Sequence, residues 1–213
     1  MKAQKILSID IDYCLNTNDF MHVFDLFCTN LYKLKEDRVL ISNHHVDILD
    51  LINTITDPID LYNIDFHHDI FYQDTCSPAE LRNSVVDSSN WVGWLTIHRQ
   101  VSKYTWIKQD MSEVFNKRTE NAFNTLYDKG IQYDIVDSRN ILFNSKRAVL
   151  EKKTDAYLKH KPVINIQNRI KKDLFNINFD YLFVCLSPDY TPKEHFFMYD
   201  LMESSKSAFF QKS

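Results

Sequence analysis

Short apolar runs with strand character alternate with stretches whose apolar residues recur every three or four positions. Residues 5–12 read as a strand, and residues 19–35 place Phe20, Phe24, Phe27, Leu31 and Leu34 at helical spacing. A second strand is expected over 38–42. A helix over 46–55 should stop before Asp57-Pro58, because the residue before proline disfavours helical backbone. A third strand follows over 60–66. The aromatics of 90–97 and 103–109 show no clean period. Beyond them the pattern predicts a helix over 112–130 closed by Gly130 at a C-cap, a strand over 131–138 and a helix over 146–160. It ends with a strand over 180–187 and a helix over 193–210. With no repeat, low-complexity tract or linker, residues 1–213 read as a single α/β domain with a mostly parallel central sheet flanked by helices. In such sheets ligands gather at the carboxyl ends of the strands.

Composition narrows the function classes. Hydrophobic residues make up 44% and aromatics 14% of the 213 residues, enough for a sizeable core. A net charge of −4 without a block of Lys or Arg argues against nucleic acid or an anionic membrane as partner. No apolar run reaches the ~20 residues of a membrane span, and the first residues lack signal-peptide order, so a cytoplasmic location is expected. Cys14, Cys28, Cys76 and Cys185 form no C-x-x-C pair, which fits buried thiols. Gly93 and Gly130 are the sole glycines, which excludes the Gly-rich loops of nucleotide-binding folds.

The strand ends carry the candidate chemistry. Asp10 and Asp12 lie two residues apart at the end of the first apolar run, "KILSIDIDYCL". Taken alone they fit a solvated, capping pair. The second strand, however, ends in His44 and His45, and the third runs into "DFHHD". Its D-x-H-x-D spacing sets Asp65, His67 and Asp69 on one face if the extended backbone continues. Four carboxylates and two imidazoles could share a pocket only around cations. An oxygen-rich set with two nitrogens suits Mn²⁺ better than structural zinc, and four carboxylates suggest two ions.

The motif set resembles the arginase and ureohydrolase family. "SIDID" is similar to its S-F-D-V-D motif, "IDFHHD" to D-A-H-x-D, and "LISNHH" to the strand ending in G-G-D-H. Together with "NWVGWL", these stretches more closely resemble the peptide arginases, which convert arginine residues of ribosomally made precursor peptides to ornithine. The resemblance covers residues 5–97, with a weaker echo at "CLSPDYTP" (185–192). The D-x-D motif comes first here, so the order reads as a circular permutation of the ordinary arginase order. The resemblance implies an arginase-like fold and a site with two Mn²⁺ ions. Asp10 and Asp65 would bridge the ions, with His45 and Asp69 completing one and His67 and Asp12 the other. His44 is the alternative to His45, and His68 would be a neighbour of the ligands or a core residue. In the implied mechanism a hydroxide bridging the ions attacks the guanidinium carbon, and Asp69 moves its proton to the leaving amine, giving urea and ornithine. The implied partner is an arginine-containing peptide.

A guanidinium calls for carboxylate partners. Strict alignment puts Cys185 where ordinary arginases carry a glutamate, so Asp189 is the expected guanidinium contact, with Glu194 in reserve. Asn90 and Trp91 sit where the family has substrate-reaching loop residues, with packing an equal reading, and His98 is the nearest match to a catalytic-loop histidine. Two rival readings remain. One is a haloacid-dehalogenase-like phosphatase using Asp10 and Asp12 with Mg²⁺, which leaves "DFHHD" unexplained. The other is a non-catalytic peptide-binding module of arginase shape.

Overall fold

The computed structural model describes residues 2–70, 72, 86–98, 101–115, 132–137, 141–142, 145–146, 149–154 and 162–211. In chain order the described strands are β1 (Gln4–Asp10), β2 (Val39–Ser42), β3 (Ile59–Ile64), β4 (Val101–Lys108), β5 (Gln132–Asp137), β6 (Ile141–Leu142), β7 (Ser145–Lys146), β8 (Val149–Thr154), β9 (Val163–Asn168) and β10 (Tyr181–Cys185). The described α-helices are α1 (Thr17–Leu31), α2 (Ile48–Ile52), α3 (Trp91–His98) and α4 (Phe196–Phe210). Six strands form one all-parallel sheet in the order β2-β10-β1-β3-β4-β9. The fold is therefore α/β, with helices on both faces.

Strand alternation sorts the side chains between two cores. Ile6, Leu61, Tyr104 and Phe183 point to the face covered by α2 and α3, whereas Leu7, Ile9, Tyr62 and Leu182 point to the face covered by α1 and α4. Burial on both faces explains why these strands read as nearly continuous apolar runs. The start of α1 is set locally. Asn16 caps the helix by accepting the Asp19 N–H at 3.0 Å, and Asp19 in turn accepts the N–H of Leu15, the residue before the cap, at 3.3 Å.

Several elements differ from the expectation. The stretch 90–97 contains helix α3, whose residues Trp91 to Thr96 are all buried, so no amphipathic period is visible. The helix expected over 146–160 is instead strand β8 where described, paired antiparallel with β5 outside the central sheet. Backbone pairing with a distant strand overrides local helical spacing there. Edge strand β9, half-exposed and rich in Asn and Gln, was not anticipated because its alternation is weak. Most of the helix expected over 112–130 lies outside the described residues, and Ser112 to Phe115 are irregular. No helix among the described residues is long and apolar enough to cross a membrane.

Two substitutions test this assembly. Phe27→Ala, at a fully buried position of α1, should cost ~3–5 kcal/mol through cavity formation, whereas Asn16→Ala should cost ~1 kcal/mol through the lost cap. Urea midpoints are expected in the order Phe27→Ala, Asn16→Ala, wild type, and equal midpoints for the two variants would contradict the packing described.

Candidate metal centre

The same parity that builds the α2/α3 core also aims polar side chains at one end of the sheet. Following Ile6, the positions Ser8 and Asp10 face this side, and following Leu61 the positions Asn63 and Asp65 do so. Parallel register sets Asp10 beside Cys185, and Asp65 directly follows β3. His45 begins a 3₁₀ turn three residues after β2. Asp12 lies in a second such turn, capped by Asp10, whose Oδ1 accepts the Asp12 N–H at 3.2 Å.

His67 and Asp69 reach the site by a different route from the one their spacing suggests. Extended backbone stops at Ile64, and Asp69 takes a left-handed conformation with φ 49°. That turn, not strand alternation, brings its carboxylate back to the others. Such a conformation is costly for a non-glycine residue and persists where its surroundings determine it. Here the Asp69 carbonyl accepts the first N–H groups of α3, Val92 at 3.0 Å and Gly93 at 3.2 Å, while Trp91 Nε1 donates to Asp69 Oδ2 at 2.7 Å.

The six residues meet. His45 Nδ1 lies 3.0 Å from Asp10 Oδ2, 3.3 Å from Asp69 Oδ2 and 3.5 Å from Asp65 Oδ2. Its other nitrogen, Nε2, is 3.0 Å from Ser8 Oγ, which fixes the ring. His67 Nδ1 lies 2.9 Å from Asp12 Oδ2. Three groups have ligand atoms all within 4.8 Å of one another: His45, Asp65 and Asp69; Asp12, Asp65 and His67; and Asp10, His45 and Cys185. Asp65 belongs to two of them. Further donors surround the acids: Asn63 Nδ2 to Asp65 at 2.9 Å, the His67 N–H to Asp65 at 2.8 Å, Ser187 Oγ to Asp10 at 2.5 Å and the Phe66 N–H to Asp12 at 3.2 Å.

Burial of like charges leaves its mark on protonation. Burial, with repulsion from Asp69, Asp12 and Asp10, pushes Asp65 well above the carboxylate range. Asp12 is raised to about 6 by burial and by Asp10, against the lowering contact of His67. For His45, burial opposes the charge, yet the hydrogen bonds to Asp10 and Asp69 carry it up to about 9. His67 likewise overcomes burial through Asp12 and rises to about 9. For Asp69, burial is outweighed by contacts with His45 and Trp91, and its carboxyl is lowered. Protons thus do the work that a cation would do, and four buried carboxylates with two imidazoles form a hard donor set that fits divalent ions such as Mn²⁺.

A cavity of about 310 Å³ opens onto this cluster, and its lining includes all six residues together with Tyr72, Glu113, Ser187 and Tyr190. The other expected site residues fall elsewhere. His44 is half-buried and belongs to none of the three groups. His68 is buried beside them: its Nδ1 accepts the Ile70 N–H at 3.1 Å, and burial lowers its pKa. Trp91 packs its ring 4.7 Å from that of His45, in keeping with the packing reading as well as its bond to Asp69. Asn90 is fully buried, accepts the Asp87 N–H at 3.0 Å and is not among the residues that line the cavity. Asp189 is exposed and likewise absent from the lining, because the Ser187–Tyr190 turn sends Asp189 outward and delivers Tyr190 instead. Glu194 is exposed too, and the side chain of His98 lies outside the described residues.

Ser8 and Asn63 had a signal in the sequence, as polar residues interrupting apolar strands. Tyr72 and Glu113 had none, since both reach the site from irregular segments. No protein-family model, curated protein or solved structure matches the chain.

The protonation pattern has a stability consequence. The native metal-free protein holds protons on His45 and His67 up to about pH 9, whereas an unfolded chain releases them near its ordinary value of 6.5. Stability from these pairs is complete below 6.5 and is lost as pH rises from 6.5 to 9. The metal-free melting temperature should therefore fall across that window. Mn²⁺ at about 100 times its dissociation constant should add about 2.7 kcal/mol. Differential scanning calorimetry at several pH values checks both, and a metal-free profile that rises with pH would contradict the assigned pairs.

Proposed function

We propose that this protein is a metal-dependent hydrolase that converts arginine side chains in a peptide to ornithine with release of urea. The observation that carries the hydrolase reading is the sharing of Asp65 between the His45–Asp69 and Asp12–His67 groups, which suits two adjacent divalent ions. The guanidino substrate follows from the resemblance of "SIDID" and "DFHHD" to the peptide arginases. Asp10, Asp12, His45, Asp65, His67 and Asp69 would hold two Mn²⁺ ions. Such ions supply Lewis acidity and a water acidified toward hydroxide.

The chain's own residues then orient the reaction. Trp91 Nε1 anchors Asp69 Oδ2 and so holds the carboxylate at the cavity floor, where it can take up the proton of the attacking water. The water oxygen attacks the guanidinium carbon, the bond from that carbon to the side-chain nitrogen breaks, and that nitrogen gains two protons, one returned by Asp69 and one released from the new hydroxyl as it becomes the urea carbonyl. Urea and a protonated ornithine side chain leave, and the atoms balance with one water consumed. Asp69 is itself buried, 4% exposed, which limits access of bulk water to its carboxylate and strengthens each electrostatic contact.

The test is direct. The Mn²⁺-loaded protein, given arginine-containing peptides, should release urea, and mass spectrometry should show the loss expected when a guanidino group becomes an amine. Asp65→Ala should bind less than half of the wild-type Mn²⁺ and lose at least ~100-fold in rate, since one change removes a ligand from both groups. Hydrolysis of an aryl phosphate without urea release would favour the phosphatase reading, and metal-loaded peptide binding without either product would favour the non-catalytic one.

A further inference from the structure

The site reading above leaves a positively charged guanidino group without an identified carboxylate, because neither Asp189 nor Glu194 is among the residues that line the cavity. Among the described residues five acids line it: Asp10, Asp12, Asp65, Asp69 and Glu113. The four aspartates form the candidate ligand cluster, and among the lining acids Glu113 alone belongs to none of the three groups. We infer that Glu113 is the substrate-binding carboxylate that selects a cationic, planar side chain at this site.

Its position is held from two sides. Glu113 Oε1 accepts the His68 N–H at 2.8 Å and a hydrogen bond from the Tyr72 hydroxyl. His68 Nε2 lies 3.7 Å from the same oxygen. All three contacts fall on Oε1. An anchored carboxylate with a second oxygen to offer is preorganised for a guanidinium, since little rotamer freedom remains to be lost when the ligand arrives. The side chain is 27% exposed, far more open than the buried aspartates and so reachable from the cavity mouth.

The flanking rings suit the same ligand. Tyr72 stacks on His68 with ring centres 4.6 Å apart and planes within 8°, and Tyr190, 59% exposed, sits 5.2 Å from the His67 ring. Both tyrosines line the cavity with Glu113. A guanidinium stacks on aromatic faces while its edge pairs with a carboxylate, whereas an ammonium gains less from such a slot. The arrangement therefore favours arginine over lysine and over neutral citrulline, which has nearly the shape of arginine without its charge.

The inference rests on the proposed function, and the experiment separates the two. Wild type, Glu113→Gln and Glu113→Asp, each loaded with Mn²⁺ and its metal content measured, are given one peptide containing arginine and its citrulline counterpart. Glu113→Gln keeps an oxygen to accept from His68 and Tyr72, so the fold and metal content should hold. For arginine peptide its kcat/KM should fall about 30-fold, mainly through KM, by loss of a charge-assisted pair. Inhibition by citrulline peptide should change less than about 3-fold, because that ligand has no charge to lose. Glu113→Asp should recover part of the arginine preference. Unchanged kcat/KM in Glu113→Gln, or equal losses for both peptides, would overturn the assignment. A wild type that releases no urea would refute the proposed function instead, and calorimetric binding of the two peptides would then read the Glu113 preference without turnover.

Discussion

Four carboxylates brought together in the interior are the constraint on which this structure turns. Two like charges about 4 Å apart repel by about 4 kcal/mol at an effective dielectric constant of about 20. A few such pairs would consume the ~5–15 kcal/mol stability of an ordinary domain. The surroundings are organised around that cost. Ser187, Asn63, Trp91 and the backbone N–H groups of Asp12, Phe66 and His67 donate to the acids. His45 and His67 supply positive charge when protonated. The remaining repulsion is what a bound cation would relieve, and that is the physical reason for the metal reading proposed above.

Parallel pairing makes this concentration possible. All six strands of the sheet end at the same edge, and β10, last in the chain, inserts between β1 and β2. Residues from both ends of the sequence thereby meet, with Cys185 and Ser187 beside Asp10. Cys185 is buried beside Asp10, and burial together with the charge of Asp10 pushes its thiol well upward. Two residues that line the cavity, Asp69 and Ser187, have positive φ, at 49° and 47°. With two glycines in the whole chain, these turns are made by residues whose side chains the site uses.

The floor and the walls of the cavity differ in character. The floor is the acidic cluster, buried and crowded. The walls include Tyr72, Glu113 and Tyr190, which are more open than the aspartates. Trp91 links floor to scaffold. Its N–H fixes Asp69, its ring packs against His45, and the helix it begins is tied to the Asp69 carbonyl. Positioning of the Asp69 carboxylate therefore depends on α3, the helix whose uniform burial hid it from periodicity.

Much of this was legible from local pattern. Apolar runs ending in Asp10, His45 and Asp65 marked the strands and the edge at which they stop, because alternation and charge placement are properties of neighbouring residues. Local pattern also marked α1, through helical spacing. Its limits were equally physical. Sheet order, and the pairing of β8 with β5 where a helix was expected, depend on contacts between distant segments that no window of sequence contains. The route of Asp69 to the site depends on one left-handed residue, and the exchange of Asp189 for Tyr190 on the hand of a four-residue turn. The sequence by itself determined which strand ends carry the clustered aspartates and histidines. Only the tertiary structure decided which loop residues face the cavity, because a side chain's direction in irregular backbone is set by the packing around it.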